Sequence, residues 1–184
     1  MKRAFYSVGT SAALVVGSFA VIPATATSAA AACQPFTYYK VVKLGSPTYK
    51  TTGPTNSKYN SSSSKSTLSI AVTRSTTRSS AWKAEVGGSL SWGIGQVEAK
   101  TSYEVTKSVT KGVKVTNKMV VDSKKRGYTR PMVEYRRFNI EKWREGGDCK
   151  QYYVGSMGTL TGITSSMHWA ECQTKSTDGC TPKP

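Results

Sequence analysis

Apolar and polar residues alternate along most of the chain beyond residue 67, with a period of two that predicts β-strands. The longest such run is residues 101–121, TSYEVTKSVTKGVKVTNKMVV, in which valine recurs at alternate positions and lysine and threonine fill many of the others. At about 3.3 Å per residue, a strand over 103–121 would span roughly 60 Å. We therefore predict one long strand in this segment.

The neighbouring segments show the same period. Further strands are predicted at residues 36–44, 68–72, 82–94 and 132–143, and one or two short strands after residue 149. Turns are predicted at 93–96 and 122–128, and the first of them starts the long strand, whose first part is 97–105. No segment shows a clear helical period, and β-branched and aromatic residues dominate the periodic stretches. The predicted fold class is all-β: an elongated antiparallel sheet or sandwich with long twisted strands, pinned by disulfides.

The first 32 residues have the pattern of a secretory signal peptide. Lys2 and Arg3 precede the apolar run AALVVGSFAVIPA, and small residues follow up to Ala32. We predict cleavage between Ala26 and Ala32, and hence a secreted, extracellular protein. The sequence AAAC at 30–33 also resembles a lipoprotein signal, in which Cys33 would carry the lipid. This alternative stays open.

Charge divides the predicted mature chain into two parts. Residues 33–84 contain eight Lys or Arg and no Asp or Glu. Without Lys2 and Arg3, the 24 remaining Lys and Arg exceed the 10 Asp and Glu by 14, which favours association with anionic surfaces. We predict a basic N-terminal strand plus a flexible Ser, Pro and Gly-rich arm over 33–66, followed by an elongated β domain over 67–184.

Four cysteines in an exported chain predict two disulfide bonds. Three pairings of Cys33, Cys149, Cys172 and Cys180 are possible. Of these we expect Cys172 with Cys180 and Cys33 with Cys149.

Residues for catalysis or cofactor binding are sparse. His168 is the only histidine and stands beside Trp169 in an apolar stretch, which favours a structural role. Most glutamates lie at strand positions near Lys or Arg, a pattern typical of cross-strand pairs. We predict a protein that is not an enzyme and has no cofactor and no metal.

Two groups of residues are candidate binding surfaces. A basic patch that could contact an anionic membrane or cell-wall polymer comprises Lys124, Lys125, Arg126, Arg130, Arg136 and Arg137. Export argues against nucleic acid as its ligand. A partner-binding arm, which would complete the sheet of another protein by strand addition, comprises Phe36, Tyr38, Tyr39, Lys40, Val42, Lys43 and Leu44.

The order of strands and turns from about residue 68 to 145 resembles the elongated β-module of the aerolysin and ETX/MTX2 family. The resemblance is carried by SSAWKAEVGGSLSWG, the turn IGQVEAK, the Ser, Thr and Lys-rich run from Thr101, the turn DSKKRGY and the return strand EYRRFNIEKW. It implies a hairpin that inserts into membranes. Its candidate lipid-facing residues are Trp82, Val86, Leu90, Trp92, Ile94 and Val97. Lys107 and Lys111 share the same face of the continuing strand, so only the tip could enter a bilayer.

The basic arm and the disulfide-pinned body also resemble the small adapter subunit of the secreted umbrella toxin particles of actinobacteria. That resemblance implies partners among the other secreted proteins of a toxin assembly. Our leading hypothesis is a non-enzymatic subunit or adapter of such an antibacterial assembly. The alternatives are an aerolysin-like pore-forming toxin and a binder of anionic cell-wall polymer, and homo-oligomerisation stays open.

Overall fold

The computed structural model describes residues 33–175 and 178–184, so the predicted signal peptide lies outside the described residues. The described chain is mostly antiparallel β-structure, as predicted, and contains one helix that was not predicted. In chain order the elements are β1 Phe36–Thr51, β2 Asn56–Tyr59, β3 Ser66–Thr73, β4 Arg78–Ser79, β5 Ala81–Ala84, α1 Leu90–Lys100, β6 Ser108–Val109, β7 Lys114–Val121, β8 Lys125–Glu145 and β9 Gln151–Lys175.

The two longest strands, β8 and β9, form an antiparallel hairpin at the centre of the main sheet. Their pairing runs from Lys125 opposite Lys175 to Glu145 opposite Gln151. The sheet order is β1-β8-β9-β5, and β2 pairs with the first part of β8 beside β1. The long strands of this protein are therefore β8 and β9.

The predicted single strand over 101–121 is wrong. After α1 the chain forms the two-residue strand β6, turns at Gly112, and only then enters β7, which has eight residues. Gly112 has a φ of 84°, in the left-handed region that glycine adopts readily. Strand β7 pairs with β3 in a separate ribbon, from Lys114 opposite Thr73 to Val121 opposite Ser66.

The predicted strand over 82–94, the turn at 93–96 and the strand from 97 onward are wrong within residues 90–100, because this segment is helix α1. Ser89 caps its first turn by accepting a hydrogen bond from the backbone of Trp92. Leu90, Ile94 and Val97 have the i, i+4, i+7 spacing of one helical face and pack into the core beside Phe138.

Two glycines explain why this helix was missed. Gly93 and Gly95 weaken the helical signal of the segment, but a Cβ at Gly93 would lie 2.8 Å from the ring of Trp82. The helix can therefore pack against the sheet only with glycine at position 93.

The arm predicted to be flexible is part of the sheet. Beyond Leu44, strand β1 resumes its pairing with β8 at Thr48 and continues to Thr51, and β2 pairs with residues 126–129. The serine-rich turn that follows is held by Asn60, whose buried amide donates to the carbonyls of Ser64, Val121 and Asp122. These hydrogen bonds order a segment whose composition alone predicts a linker.

The elements that pack on the central β8–β9 hairpin lie on its two opposite faces. In the first half of β8 the buried residues from Gly127 to Tyr135 lie at odd positions, with Met132 as the exception. The β3–β7 ribbon packs on Gly127, and Val109 of β6 packs on Tyr135. Further along, the buried residues Phe138 and Ile140 are at even positions, and helix α1 packs beside Phe138. The pairing with β9 is unbroken between Tyr135 and Ile140, so the two sets face opposite sides. Each face is therefore covered over only part of its length.

The structure confirms both expected disulfide bonds. Cys33 is bonded to Cys149, which ties the start of β1 to the turn between β8 and β9. Cys172 is bonded to Cys180 and holds the C-terminal segment against β9.

The two bonds should differ in their contribution to stability. Loop-closure entropy predicts about 5 kcal/mol for the bond that spans 116 residues and about 2.5 kcal/mol for the one that spans eight. We expect the double variant Cys33→Ser, Cys149→Ser to lose more free energy of unfolding in urea than Cys172→Ser, Cys180→Ser. Equal losses would contradict this expectation.

Candidate functional site: an open sheet edge and its neighbouring face

Strand β1 forms one border of the main sheet. It pairs with β8 on one side, and no other strand among the described residues pairs with its outer edge. From Phe36 opposite Glu145 to Leu44 opposite Arg137, nine consecutive residues keep an unbroken register. In such a strand alternate residues direct their N–H and C=O groups away from the sheet. The outer edge therefore offers a regular row of backbone hydrogen-bonding groups.

The regular part of this edge ends at a bulge. Gly45 has a φ of 65°, and the residues from Gly45 to Pro47 stand opposite Arg136 alone before pairing resumes. A bulge and a proline are features by which proteins prevent edge pairing. They leave the segment from Phe36 to Leu44 as the part of β1 open to another strand.

The seven residues predicted as a partner-binding arm all lie in this segment of β1. Their inner edge already pairs with β8 of the same chain, so the arm is not a detached strap. Tyr39 faces α1, with its ring 5.4 Å from that of Trp92. Lys40 lies on the opposite face, with its ammonium 4.1 Å from the centre of the Trp143 ring.

Exposed apolar side chains gather at the same end of the sheet, a surface we call the apolar end. They are Phe36, Val86, Tyr152, Tyr153 and Val154, each more than 40 % exposed. Tyr153 packs against Trp143, and Phe36 packs against Tyr38. Because neighbouring residues of a strand alternate between its faces, Tyr152 and Tyr153 point to opposite sides, so the apolar end exposes apolar side chains on both faces of the sheet. Exposed apolar side chains gathered in this way can mark an interaction site.

The segment predicted to form an inserting hairpin, residues 82–105, is not a hairpin in this structure. Trp82 lies in β5, whereas Leu90, Trp92, Ile94 and Val97 lie in helix α1. Ile94 and Val97 are buried, and the rings of Trp82 and Trp92 are 5.6 Å apart. Of the six predicted lipid-facing residues, Val86 is the one that belongs to an exposed apolar surface, with 66 % of its area accessible.

The structure also divides the predicted basic patch. Lys125 pairs with Asp122, which Lys65 also contacts, and hydrogen bonds from both ammonium groups lower the pKa of Asp122. Arg136 forms an ion pair with Glu134 at 2.6 Å. Lys124 donates to the carbonyl of Ser61.

The three remaining arginines lie on both sides of the sheet. Arg126 and Arg130 occupy even positions of β8, where they bond to Ser57 and Thr55. Arg137 occupies an odd position and faces the opposite side. The six residues therefore do not form one surface.

Glu134 lies at the centre of a polar network that joins β1, β8 and β9. It accepts hydrogen bonds from Arg136, from the Thr164 hydroxyl at 3.0 Å and from the Tyr49 hydroxyl at 3.3 Å. Burial raises the pKa of Glu134, but the hydrogen bonds from Arg136, Thr164 and Tyr49 and the charge of Arg136 outweigh it, so the pKa is lowered overall. His168 stacks on Tyr49, with ring centres 4.3 Å apart. The network fastens β1 to the sheet just beyond its bulge.

Two searches of the described chain give negative results. Residues 33–175 and 178–184 contain no group of three or more His, Cys, Asp or Glu side chains placed to hold a metal ion. Helix α1 is too short to cross a bilayer, and no helix in this part of the chain is long and apolar enough to do so.

Comparisons with known proteins do not assign the chain to a family. No protein-family model matches it, and no match was found among curated proteins or solved structures. The resemblances to the aerolysin family and to umbrella particle adapters stay predictions.

The Glu134 network should make stability depend on pH. Because the folded pKa of Glu134 is lower than its ordinary value of 4.5, the ionised group stabilises the fold above that pH. This contribution is lost as the pH falls through the folded pKa. We expect Glu134→Gln to lower the free energy of unfolding by about 1–3 kcal/mol at pH 7 and to show a smaller loss of stability between pH 5 and pH 3 than the parent protein.

Urea titrations at pH 7, pH 5 and pH 3 measure these effects. Glu104→Gln is the matched control, because Glu104 is exposed and has no ion pair among the described residues. If the two variants showed the same pH dependence, the network would not contribute as described.

Proposed function

We propose that this chain is an exported, non-enzymatic binding protein that serves as a subunit or adapter of a secreted antibacterial toxin assembly, and that its partner adds a strand to the outer edge of β1. The observation that supports this proposal is the regular, unpaired edge from Phe36 to Leu44. Strand addition combines affinity from main-chain hydrogen bonds with specificity from alternate side chains. An edge of nine residues is long enough for such pairing.

The apolar end supports the same proposal. Phe36 begins the open edge and is 52 % exposed, and Tyr153 and Val154 lie two strands away on β9. A partner strand along β1 would bring side chains over Phe36, and its neighbouring elements could cover Tyr153. Burial of this surface would add hydrophobic stabilisation to the backbone hydrogen bonds.

Charge suggests the chemistry of the partner. Lys40 and Lys43 lie within the open edge, and the chain from residue 33 onward carries an excess of 14 positive charges. An acidic partner would be attracted to this surface and would neutralise these lysines on binding. Because Lys40 and Lys43 point to opposite faces of β1, we propose a partner strand with apolar residues and with one acidic residue near each lysine, on either face.

The pore-forming alternative has less support. The hairpin it requires would have to form from β5 and helix α1. In the structure Ile94 and Val97 of α1 belong to the core, and Trp82 of β5 packs against it. Insertion would expose this core to solvent or lipid.

Hydrogen exchange tests the proposal at the edge itself. In the free protein, the alternate amides of Phe36–Leu44 that point away from β8 should exchange rapidly. In the complex purified from native culture medium, the same amides should be protected, because they donate to the added strand. The double variant Phe36→Ser, Val42→Ser should lose about tenfold or more in affinity for the partner.

The matched control is Val113→Ser, Val120→Ser, which removes two exposed valines near and on the β7 ribbon. This variant should keep full affinity. If no partner co-purified with the chain in a stoichiometric amount, the proposal would be overturned. A complex in which the β1 amides exchange as in the free protein would overturn it as well.

A further inference from the structure

A shallow depression lies on the face of the main sheet that points away from α1. Arg137, Thr161 and Ala81 form one row across β8, β9 and β5, and Thr159 pairs with Lys83 in the next row of the same face. Their neighbours in the chain, Phe138, Leu160 and Trp82, pack on the α1 side. Because side chains alternate between the two faces of a strand, this row and the next point to the uncovered side.

The depression brings two cations and two hydroxyl groups together. Its volume is about 220 Å³, and its lining includes Lys83, Arg137, Thr159 and Thr161, with Glu85 also contributing. Neither the Arg137 guanidinium nor the Lys83 ammonium forms an ion pair with an acid of the described chain; the ion pairs there involve Asp122 and Glu134. Both cations are solvent-exposed and available to a ligand.

The spacing of these groups suits a small anion. The α-carbons of Arg137 and Lys83 are two strands apart and about two residues offset, or roughly 12 Å. Their long side chains can therefore converge above Thr159 and Thr161, which lie on the strand between them. A guanidinium presents a planar fork of donors to oxyanions, an ammonium adds a point charge, and threonine hydroxyls can donate further hydrogen bonds.

We propose that this depression is a binding site for a phosphate ester. The phosphate would lie between Arg137 and Lys83 and accept hydrogen bonds from the two threonines. A phosphate group offers several strong acceptor oxygens and a charge of about −1 to −2, which matches this set of donors. The Glu85 carboxylate opposes the anion and so limits the affinity. Arg137 pairs with Leu44 at the end of the open β1 edge, whereas the other groups of the site lie on β9 and β5, on the far side of β8 from that edge.

The strand that carries Lys83 pairs with β9 over four residues and lies close to it at Gly158. A Cβ at Gly158 would lie 2.4 Å from the carbonyl oxygen of Lys83 and 2.7 Å from the Trp82 ring. Glycine at 158 thus permits the close approach of β9 and β5. Sites built on fixed strands need little reorganisation when a ligand binds.

The test is a titration of the full mature chain, followed by NMR chemical shifts, with glycerol phosphate and with poly(glycerol phosphate) as the probes. The shifts should concentrate at Lys83, Thr159 and Thr161. Arg137→Gln and Lys83→Gln should each weaken binding about tenfold or more, since each removes a charged donor. Glu85→Gln should strengthen binding about two- to threefold, because it removes a repelling charge.

The matched control is Lys118→Gln, which removes an exposed lysine from β7 on the separate ribbon. This variant should bind both probes as the parent protein does, and all variants should keep the parent thermal unfolding temperature. Equal weakening by Lys118→Gln would indicate diffuse charge attraction and overturn the site. The absence of shifts at Thr159 and Thr161, or unchanged affinity in Arg137→Gln, would overturn it as well.

Discussion

The antiparallel ladder between β8 and β9 is the constraint on which the rest of the structure depends. It fixes the register of two long strands, and therefore decides which face each of their side chains occupies. Helix α1 covers one face at Phe138, and the β3–β7 ribbon covers the other at Gly127. Each half of the hairpin is buried on one side and keeps side chains at the surface on the other. Binding surfaces can therefore lie on the same strands as the core.

The border strand β1 follows from the same ladder. Its inner edge pairs with β8 from Phe36 to Thr51, interrupted by the bulge at Gly45, and the bond from Cys33 to Cys149 fixes its start. The Glu134 network fastens it again beyond the bulge through Tyr49. A strand held in this way presents its outer edge in a fixed conformation. The free-energy cost of ordering β1 when a partner strand binds would therefore be small. The proposed binding role thus depends on a border strand that is already rigid.

Sequence reasoning predicted the elements whose pattern is local. The strand from Phe36 to Leu44, the core of β8 and both disulfide pairings are confirmed. It failed at α1, because Leu90, Trp92 and Ile94 fit a period of two, whereas Leu90 and Ile94 also fit a helical face, and contact between Trp82 and Gly93 decides between the two. It also joined β6 and β7 into one strand, since the turn at Gly112 interrupts the alternation by a single glycine. These outcomes depend on tertiary contacts that no short window of sequence contains.

The two proposed surfaces differ in how far the sequence could indicate them. The β1 edge coincides with the predicted arm, although its pairing with β8 was not foreseen. For the proposed phosphate site, the sequence indicated Arg137 as part of a basic patch but not Lys83 or the threonines, because these residues meet only through the pairing of β9 with both β8 and β5. Within β8, Arg136 and Arg137 stand between the buried residues Tyr135 and Phe138, which indicates the change of buried face.

The most direct test of the central claim is the structure of the assembly isolated from native culture medium, determined by cryo-electron microscopy. Our account predicts a strand of the partner running alongside Phe36–Leu44 as a continuation of the main sheet. A partner seated elsewhere, with the outer edge of β1 in contact with solvent, would contradict it.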